Sequence, residues 1–273
     1  MAFEYSGDGA LDYFPCRYGK SKLLFRGPRR SLQGEFVAAM GGSETYGKFV
    51  ASPWPALVEA RLGMPVVNFG YMNAGVDVFL NEPQVAEASE AAKMTVIQLM
   101  GAQNMSNRFY AVHPRRNDRF LRASMLMRTL FRDIDFTEFN FTRHMLGALK
   151  RRTPEKYEAL VDELRLAWVG RMRSLIEKVQ GRRILLWVGA YHAPDVRDPL
   201  GAEPLYVTEK MVDQLRDLVD DVVHVEPSIM ARSTGTVGMH FAPLEEVAAG
   251  QMPGPMVHEE IAEALLPVVR KYL

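Results

Sequence analysis

FVAAMGGSETYG, residues 36–47, decides how this chain reads. A short apolar run ends in Gly41 and Gly42, and Ser43 follows. The pattern predicts a buried strand over 35–40 that opens into a tight turn. That turn presents the Ser43 hydroxyl at the strand's C-terminal end. Glycine accepts backbone angles that other residues resist and lets a ligand approach the main chain. Open α/β sheets hold their ligands at this edge.

Working outward, short apolar runs alternate with helical patterns. Residues 53–62 read as a helix, with Pro53 at its start and Gly63 ending it. Residues 65–69 read as the second strand, 81–92 as a helix, and 93–100 (KMTVIQLM) as the third strand. RILLWV at 183–188 is the fourth strand and 221–225 the fifth. A last helix over 258–273 carries apolar residues at 261, 265, 268, 269 and 273, with Pro267 placed to kink it. Such alternation means a parallel sheet covered on both faces. The expected fold class is α/β: a three-layer α/β/α domain with a five-stranded parallel sheet in order 2-1-3-4-5.

Residues 1–33 are irregular and rich in Gly, Tyr and Arg. They read as an N-terminal arm with one short strand at 23–25, ahead of a single α/β domain over 34–273. About eighty residues separate the third and fourth strands, more than one crossover helix needs. Residues 153–179 form a long helix by their apolar spacing, and 118–131 and 137–152 also read as helical. This is a helical insertion at about 105–152. It reads as extra core, as a lid over the site, or as a homo-oligomer surface through helices in 118–152.

Composition bounds the function. The chain is 48% apolar and 24% charged, as ordinary globular proteins are. Its formal net charge is zero, which gives no support to nucleic acid or an anionic membrane as partner. A single cysteine, Cys16, excludes an internal disulfide and fits a reducing cytoplasm, the expected location. No secretory signal opens the sequence, and no apolar run approaches the roughly 20 residues that span a bilayer.

The segments after the strands carry the chemistry. The first strand leads to Ser43, the second to Asn73-Ala74-Gly75, and the third to Gly101-Ala102-Gln103-Asn104. His258 stands at the start of the last helix. A serine nucleophile needs a base within hydrogen-bond reach and donors aimed at the developing oxyanion. The N–H groups of Ser43 and Gly75 and the amide of Asn104 are candidate donors, and His258 is the candidate base.

In this order the residues resemble the SGNH (GDSL-like) hydrolase superfamily. GGSETYG is similar to its GDS-x-x-x-G block, NFGYMNAG to the block that contributes a glycine, and GAQN to the GxND block. HEEIAEAL is similar to the final block, where a histidine opens the last helix. The sequence also resembles a bacterial family of no assigned activity that shares GSETYG, NAG and SNRFYxVHPRRNDRF blocks. The first resemblance implies an SGNH/flavodoxin-like sheet and ester hydrolysis or acyl transfer without a metal or cofactor. Ser43 would be the nucleophile, His258 the base, and Ser43, Gly75 and Asn104 the oxyanion hole. Three positions depart from the superfamily: Gly42 and Met105 replace the usual aspartates, and Pro255 stands where the triad acid normally lies. Glu245 or Glu246 could replace that acid, or the site could run as a Ser–His dyad.

Arg108, His113, Arg115, Arg116 and Arg119 follow the third block closely. Guanidinium groups pair with phosphate, sulfate or carboxylate. They point to a small-molecule substrate with an anionic part; a solvated loop paired with Asp118 and other acids is the plainer reading. The loop after the fourth strand adds His192 and Asp195, which lack the spacing of a metal site. His240 reads as structural. Rival functions are an inactive SGNH-fold protein that binds an anionic ligand, a group transferase such as a sulfotransferase, and an interaction protein using the Met- and Phe-rich helices. GGSETYG lacks the Gly-Lys-Ser/Thr ending of a P-loop.

Overall fold

The computed structural model describes residues 11–192 and 199–273. Asp195 lies outside the described residues. Five parallel strands form the sheet: β1 (Val37–Met40), β2 (Val66–Asn68), β3 (Met94–Gln98), β6 (Arg182–Val188) and β7 (Asp221–Val225). Their order is β2-β1-β3-β6-β7, the 2-1-3-4-5 order of a doubly wound sheet. β1 lies inside the sheet between β2 and β3, and all four of its residues are apolar and buried, so both faces can be covered.

Alternation along each strand builds two cores. Val37, Ala39, Val66, Val96, Ile184 and Leu186 face one layer, which holds Trp54, Val58, Ile261, Leu265 and Val269. That layer is the helices Trp54–Leu62 and Pro255–Tyr272. Ala38, Met40, Val67, Ile97 and Leu185 face the other layer with Leu160, Leu164, Trp168 and Met172. These belong to the long helix Pro154–Lys178. Trp168 is fully buried, and its indole N–H donates to the Met100 carbonyl at 2.7 Å. The long helix thereby fixes the end of β3, where the site lies. No helix among the described residues is long and apolar enough to cross a membrane.

The stretch between β3 and β6 departs from the expectation of helix over 118–131. Residues Tyr110–His113 (β4) and Arg116–Ala123 (β5) form an antiparallel hairpin. The helix begins only at Met125, where Ser124 caps it by accepting from the Met127 N–H. A second helix covers Thr142–Arg152. Phe120, Ala123, Met127 and Phe131 have helical spacing, but pairing with β4 overrides it for the first two. The arm shows an isolated bridge between Cys16 and Phe25 rather than a strand over 23–25.

Candidate functional site

A cavity of about 590 Å³ opens at the C-terminal edge of the sheet. Its wall comes from the segments that follow β1, β2, β3 and β6, among them Ser43, Asn73, Asn104 and His192. Asp118 and Thr142 from the insertion and Ala248, Gln251 and Met252 from the loop before the last helix complete it. The volume lies in the range of small-molecule sites.

Ser43 begins a one-turn helix, Ser43–Tyr46, and is 6% exposed. Its hydroxyl accepts from the Asn73 N–H at 2.9 Å and lies 3.4 Å from Asn73 Oδ1. Asn73 holds a left-handed backbone, φ 55°, which asparagine tolerates better than most residues. Its side-chain amide donates to Asp118 Oδ2 at 3.3 Å. Asn104 faces the same group: its Nδ2 lies 3.5 Å from the Asn73 carbonyl, and its Oδ1 accepts from the Thr142 hydroxyl at 2.8 Å. The structure thus brings Ser43 and Asn104 together, as their places after β1 and β3 imply.

His258 does not join them. The last helix starts at Pro255, so His258 already lies on its buried stripe with Val257, Ile261, Ala262 and Leu265. The ring is fully enclosed; Nδ1 accepts from the Trp54 N–H at 3.2 Å, and Nε2 bonds nothing. Burial, with the Arg26 charge second, pulls its pKa from about 6.5 to about 3. The cavity corner beside the last helix is lined by Ala248, Gln251 and Met252 instead. His192 is the imidazole on the wall among the described residues.

Gly75 does not offer its N–H to the cavity either. That N–H donates at 3.1 Å to Oδ1 of Asn117, a fully buried β5 residue that also takes the Val78 N–H at 3.2 Å. Asn117 therefore caps the helix Val76–Leu80 from the hairpin. Gly75 is needed for space: a Cβ there would sit 1.6 Å from the Asn104 carbonyl oxygen. Gly75→Ala should cost about 2–3 kcal/mol, as overpacking does. Denaturant unfolding measures it, and a cost below about 1 kcal/mol would mean that the two turns part without strain.

The five residues expected to bind an anion lie outside the cavity wall. Arg108 pairs with Glu163, with Nε at 2.7 Å from Oε2. His113 Nδ1 accepts the N–H groups of Arg115 and Arg116 at 3.2 Å each, which closes the hairpin turn and leaves both arginines exposed. The Arg119 guanidinium stacks over the Phe141 ring, 4.9 Å from its centroid. A hairpin explains this: its turn projects the basic run into solvent. His240 is exposed, and its N–H donates to the Phe49 carbonyl at 2.8 Å.

Other polar residues hold the inner wall. Glu44 accepts from the Tyr191 hydroxyl at 2.8 Å and from Gln98 Nε2 at 3.1 Å. Gln98 Oε1 in turn takes the Thr45 hydroxyl at 2.6 Å and the Gly42 N–H at 3.1 Å. Glu203 is ion-paired with Arg143 and accepts the Leu205 N–H at 2.9 Å. Burial nevertheless pushes the Glu203 carboxyl up, against the pull of Arg143 and with Glu44 adding to the rise. Burial also pushes Asp118 up. A glutamine inside the apolar strand KMTVIQLM was the sequence signal for this network. Among the described residues, no group of three His, Cys, Asp or Glu could hold a metal ion.

The chain belongs to the family described as a domain of unknown function, DUF6473, whose model matches residues 1–273. No curated protein matches the sequence. Among solved structures, the chain is similar to an extracellular lipase from Streptomyces rimosus, with TM-score 0.41 and 12% identity over 88% of this chain and 99% of the lipase. It is similar to the salicylyl-acyltransferase SsfX3 from a tetracycline biosynthetic pathway, with TM-score 0.38 and 10% identity over 91% of this chain and 57% of that one. A carbohydrate esterase family 2 enzyme with a carbohydrate-binding domain, from Corynascus thermopiles (Myceliophthora fergusii), gives TM-score 0.37 and 11% identity over 88% and 69%. At these scores no role passes from those enzymes to this chain.

Proposed function

We propose that this chain binds a small polar molecule in the cavity at the sheet edge, and that Ser43 serves there as a hydrogen-bonding group. One observation carries this reading: among the described residues, the hydrogen bonds of the Ser43 hydroxyl go to Asn73 alone. An amide oxygen is no base, and a hydroxyl without a base is a weak nucleophile. The cavity itself supports binding, because it lies where a doubly wound sheet reverses strand order, between β1 and β3.

The binding half is tested by a thermal-shift screen of small polar metabolites. Gln251→Trp fills the rim from an exposed position. It should leave the ligand-free melting temperature unchanged and remove every shift the wild type shows. Ligands that still bind this variant would place the site elsewhere.

A second reading is ester hydrolysis or acyl transfer through Ser43, with His192 in the place of His258. It is favoured by the sharing of one cavity wall by Ser43, Asn104 and His192. A fluorophosphonate probe separates the two readings, since it modifies activated serines. Binding alone leaves Ser43 unmodified in a peptide map. An adduct on Ser43, slowed by His192→Ala, would replace the first reading with the second.

A further inference from the structure

The insertion carries charge and apolar surface that the cavity does not use. Residues 115–135 hold six arginines against three aspartates. Arg115, Arg116, Arg119, Arg122, Arg128 and Arg132 are all exposed, and none forms an ion pair among the described residues. The charges of Arg119 and Arg116 act on Asp118, and that of Arg128 on Asp135, without a pair forming. Asp118 lines the cavity and accepts from Asn73, while Asp135 accepts the N–H and hydroxyl of Thr137 at 2.9 and 2.8 Å. The zero net charge of the chain is a global balance; this surface is locally basic.

A second observation is independent of the charges. Met125 is 84% exposed, and Leu121, Leu126 and Phe141 are exposed too. These four adjoin one another. Phe141 lies opposite Arg119 in an isolated antiparallel bridge, and Leu121 stands two residues further along β5. The β4–β5 register shifts there: Val112 faces Phe120 and Ala111 faces Arg122, so Leu121 has no partner. This bulge turns both Leu121 and Arg122 outward while Phe120 and Ala123 stay buried. The helix Met125–Leu130 then buries Met127 and leaves Met125, Leu126 and Arg128 outside. Single exposed apolar residues are ordinary, but four adjoining ones threaded with arginines mark a docking surface.

The charges select the partner. A second copy of this chain would set arginine against arginine. A nucleic acid would pair with the arginines but offers Leu121, Met125 and Leu126 no apolar contact. An anionic bilayer serves both sets, with headgroup charges for the guanidinium groups and the acyl boundary for the apolar side chains. We propose that this hairpin–helix surface docks on an anionic lipid bilayer. Leu121, Met125 and Leu126 enter the headgroup region, and Arg119, Arg122 and Arg128 hold the anionic headgroups around them. Phe141 belongs both to this surface and to the cavity wall, so docking brings the cavity rim beside the lipid. The inference does not rest on the cavity binding a ligand.

Vesicle cosedimentation of the full chain tests it. Phosphatidylcholine vesicles with and without phosphatidylserine are compared at low and high salt. The proteins are wild type, Arg122→Gln with Arg128→Gln, and Met125→Gln with Leu126→Gln. Wild type should bind only the vesicles that contain phosphatidylserine, and salt should release it. An arginine beside such a surface is worth roughly fivefold in affinity, so the arginine pair should cost about 25-fold. The apolar pair should cost on the order of tenfold or more. All four side chains are exposed, so melting temperatures should match wild type; Arg122→Gln and Met125→Gln alone replace a pair that melts lower. No binding to phosphatidylserine vesicles at low salt overturns the proposal. Equal binding to both vesicle types, or equal binding by all the proteins, overturns it as well. A DNA duplex that displaces wild type from vesicles is consistent with shared arginines. A duplex bound without any vesicle binding, and lost only with the arginine pair, would give the surface to nucleic acid instead.

Discussion

Arg26→Ala is expected to destabilise the fold by about 3–5 kcal/mol, the loss of several hydrogen bonds from one buried charged group. Arg26 is 7% exposed and comes from the N-terminal arm. Its guanidinium donates to four carbonyls of one turn: Tyr46 at 3.3 Å, Val50 and Ala51 at 2.8 Å each, and Gly47. That turn directly follows the helix Ser43–Tyr46, so the arm holds the Ser43 turn in place. No carboxylate neutralises this guanidinium among the described ion pairs; the carbonyl dipoles and the Tyr13 ring, 5.2 Å away, solvate it. Alanine removes this donor from the carbonyls of Tyr46, Val50 and Ala51, while Gly47 keeps the Val50 N–H at 3.2 Å. At roughly 2–4 °C per kcal/mol for a chain of this size, the melting temperature should fall on the order of 10 °C. Arg26→Lys keeps the charge but not the planar fork, and should recover only part. Hydrogen exchange should rise first at the amides of residues 46–51. A loss below about 1 kcal/mol would mean that water replaces the guanidinium and that the arm does not hold the turn.

The sheet was legible because its inner strands carry short apolar runs with both faces covered, and runs of that kind need no long-range information. Val37–Met40 is the plainest of them. The hairpin was not legible in the same way. Phe120, Ala123, Met127 and Phe131 satisfy a helix, and only the partner strand Tyr110–His113 decides for β5. The local signal against the helix was His113-Pro114-Arg115-Arg116-Asn117, a turn closed by the His113 ring. At the site, Ser43 and Asn104 were readable because each follows its strand directly. His258 would face the site only if it opened the last helix. Pro255 starts the helix, and the spacing of 257, 258, 261, 262 and 265 puts the imidazole on the buried stripe. Glu203, Tyr191 and Arg143 gave no sequence signal, since their contacts to one another and to Glu44 span 60 and 147 residues.

Acidification is expected to unfold this protein along a limb that His258 steepens. In the folded chain the ring is neutral, with a pKa near 3, because it is enclosed and its Nε2 finds no acceptor. In the unfolded chain it titrates near 6.5. Between those values the unfolded state binds one proton more than the folded state. Stability present above pH 6.5 is therefore lost as pH falls toward 3, at about 1.4 kcal/mol per pH unit. From pH 6.5, where the unfolded ring is already half-protonated, to pH 4.5 the loss from this ring alone is about 2.3 kcal/mol. Asp77, Asp118 and Glu203 act in the opposite sense: burial raises their folded pKa values, so acid favours their folded state. His258→Asn separates the terms. Its Oδ1 can still accept the Trp54 N–H, it does not titrate, and the three carboxyls are common to both proteins. The variant starts less stable at pH 7, where the smaller side chain leaves a gap. Its stability should then fall more slowly with acid, by close to one proton in slope, when unfolding free energy is measured in urea from pH 7 to 4. Equal slopes would mean that the folded chain protonates this imidazole near its ordinary pKa. Water would then reach Nε2, and His258 would regain the capacity for proton transfer that its burial otherwise denies it.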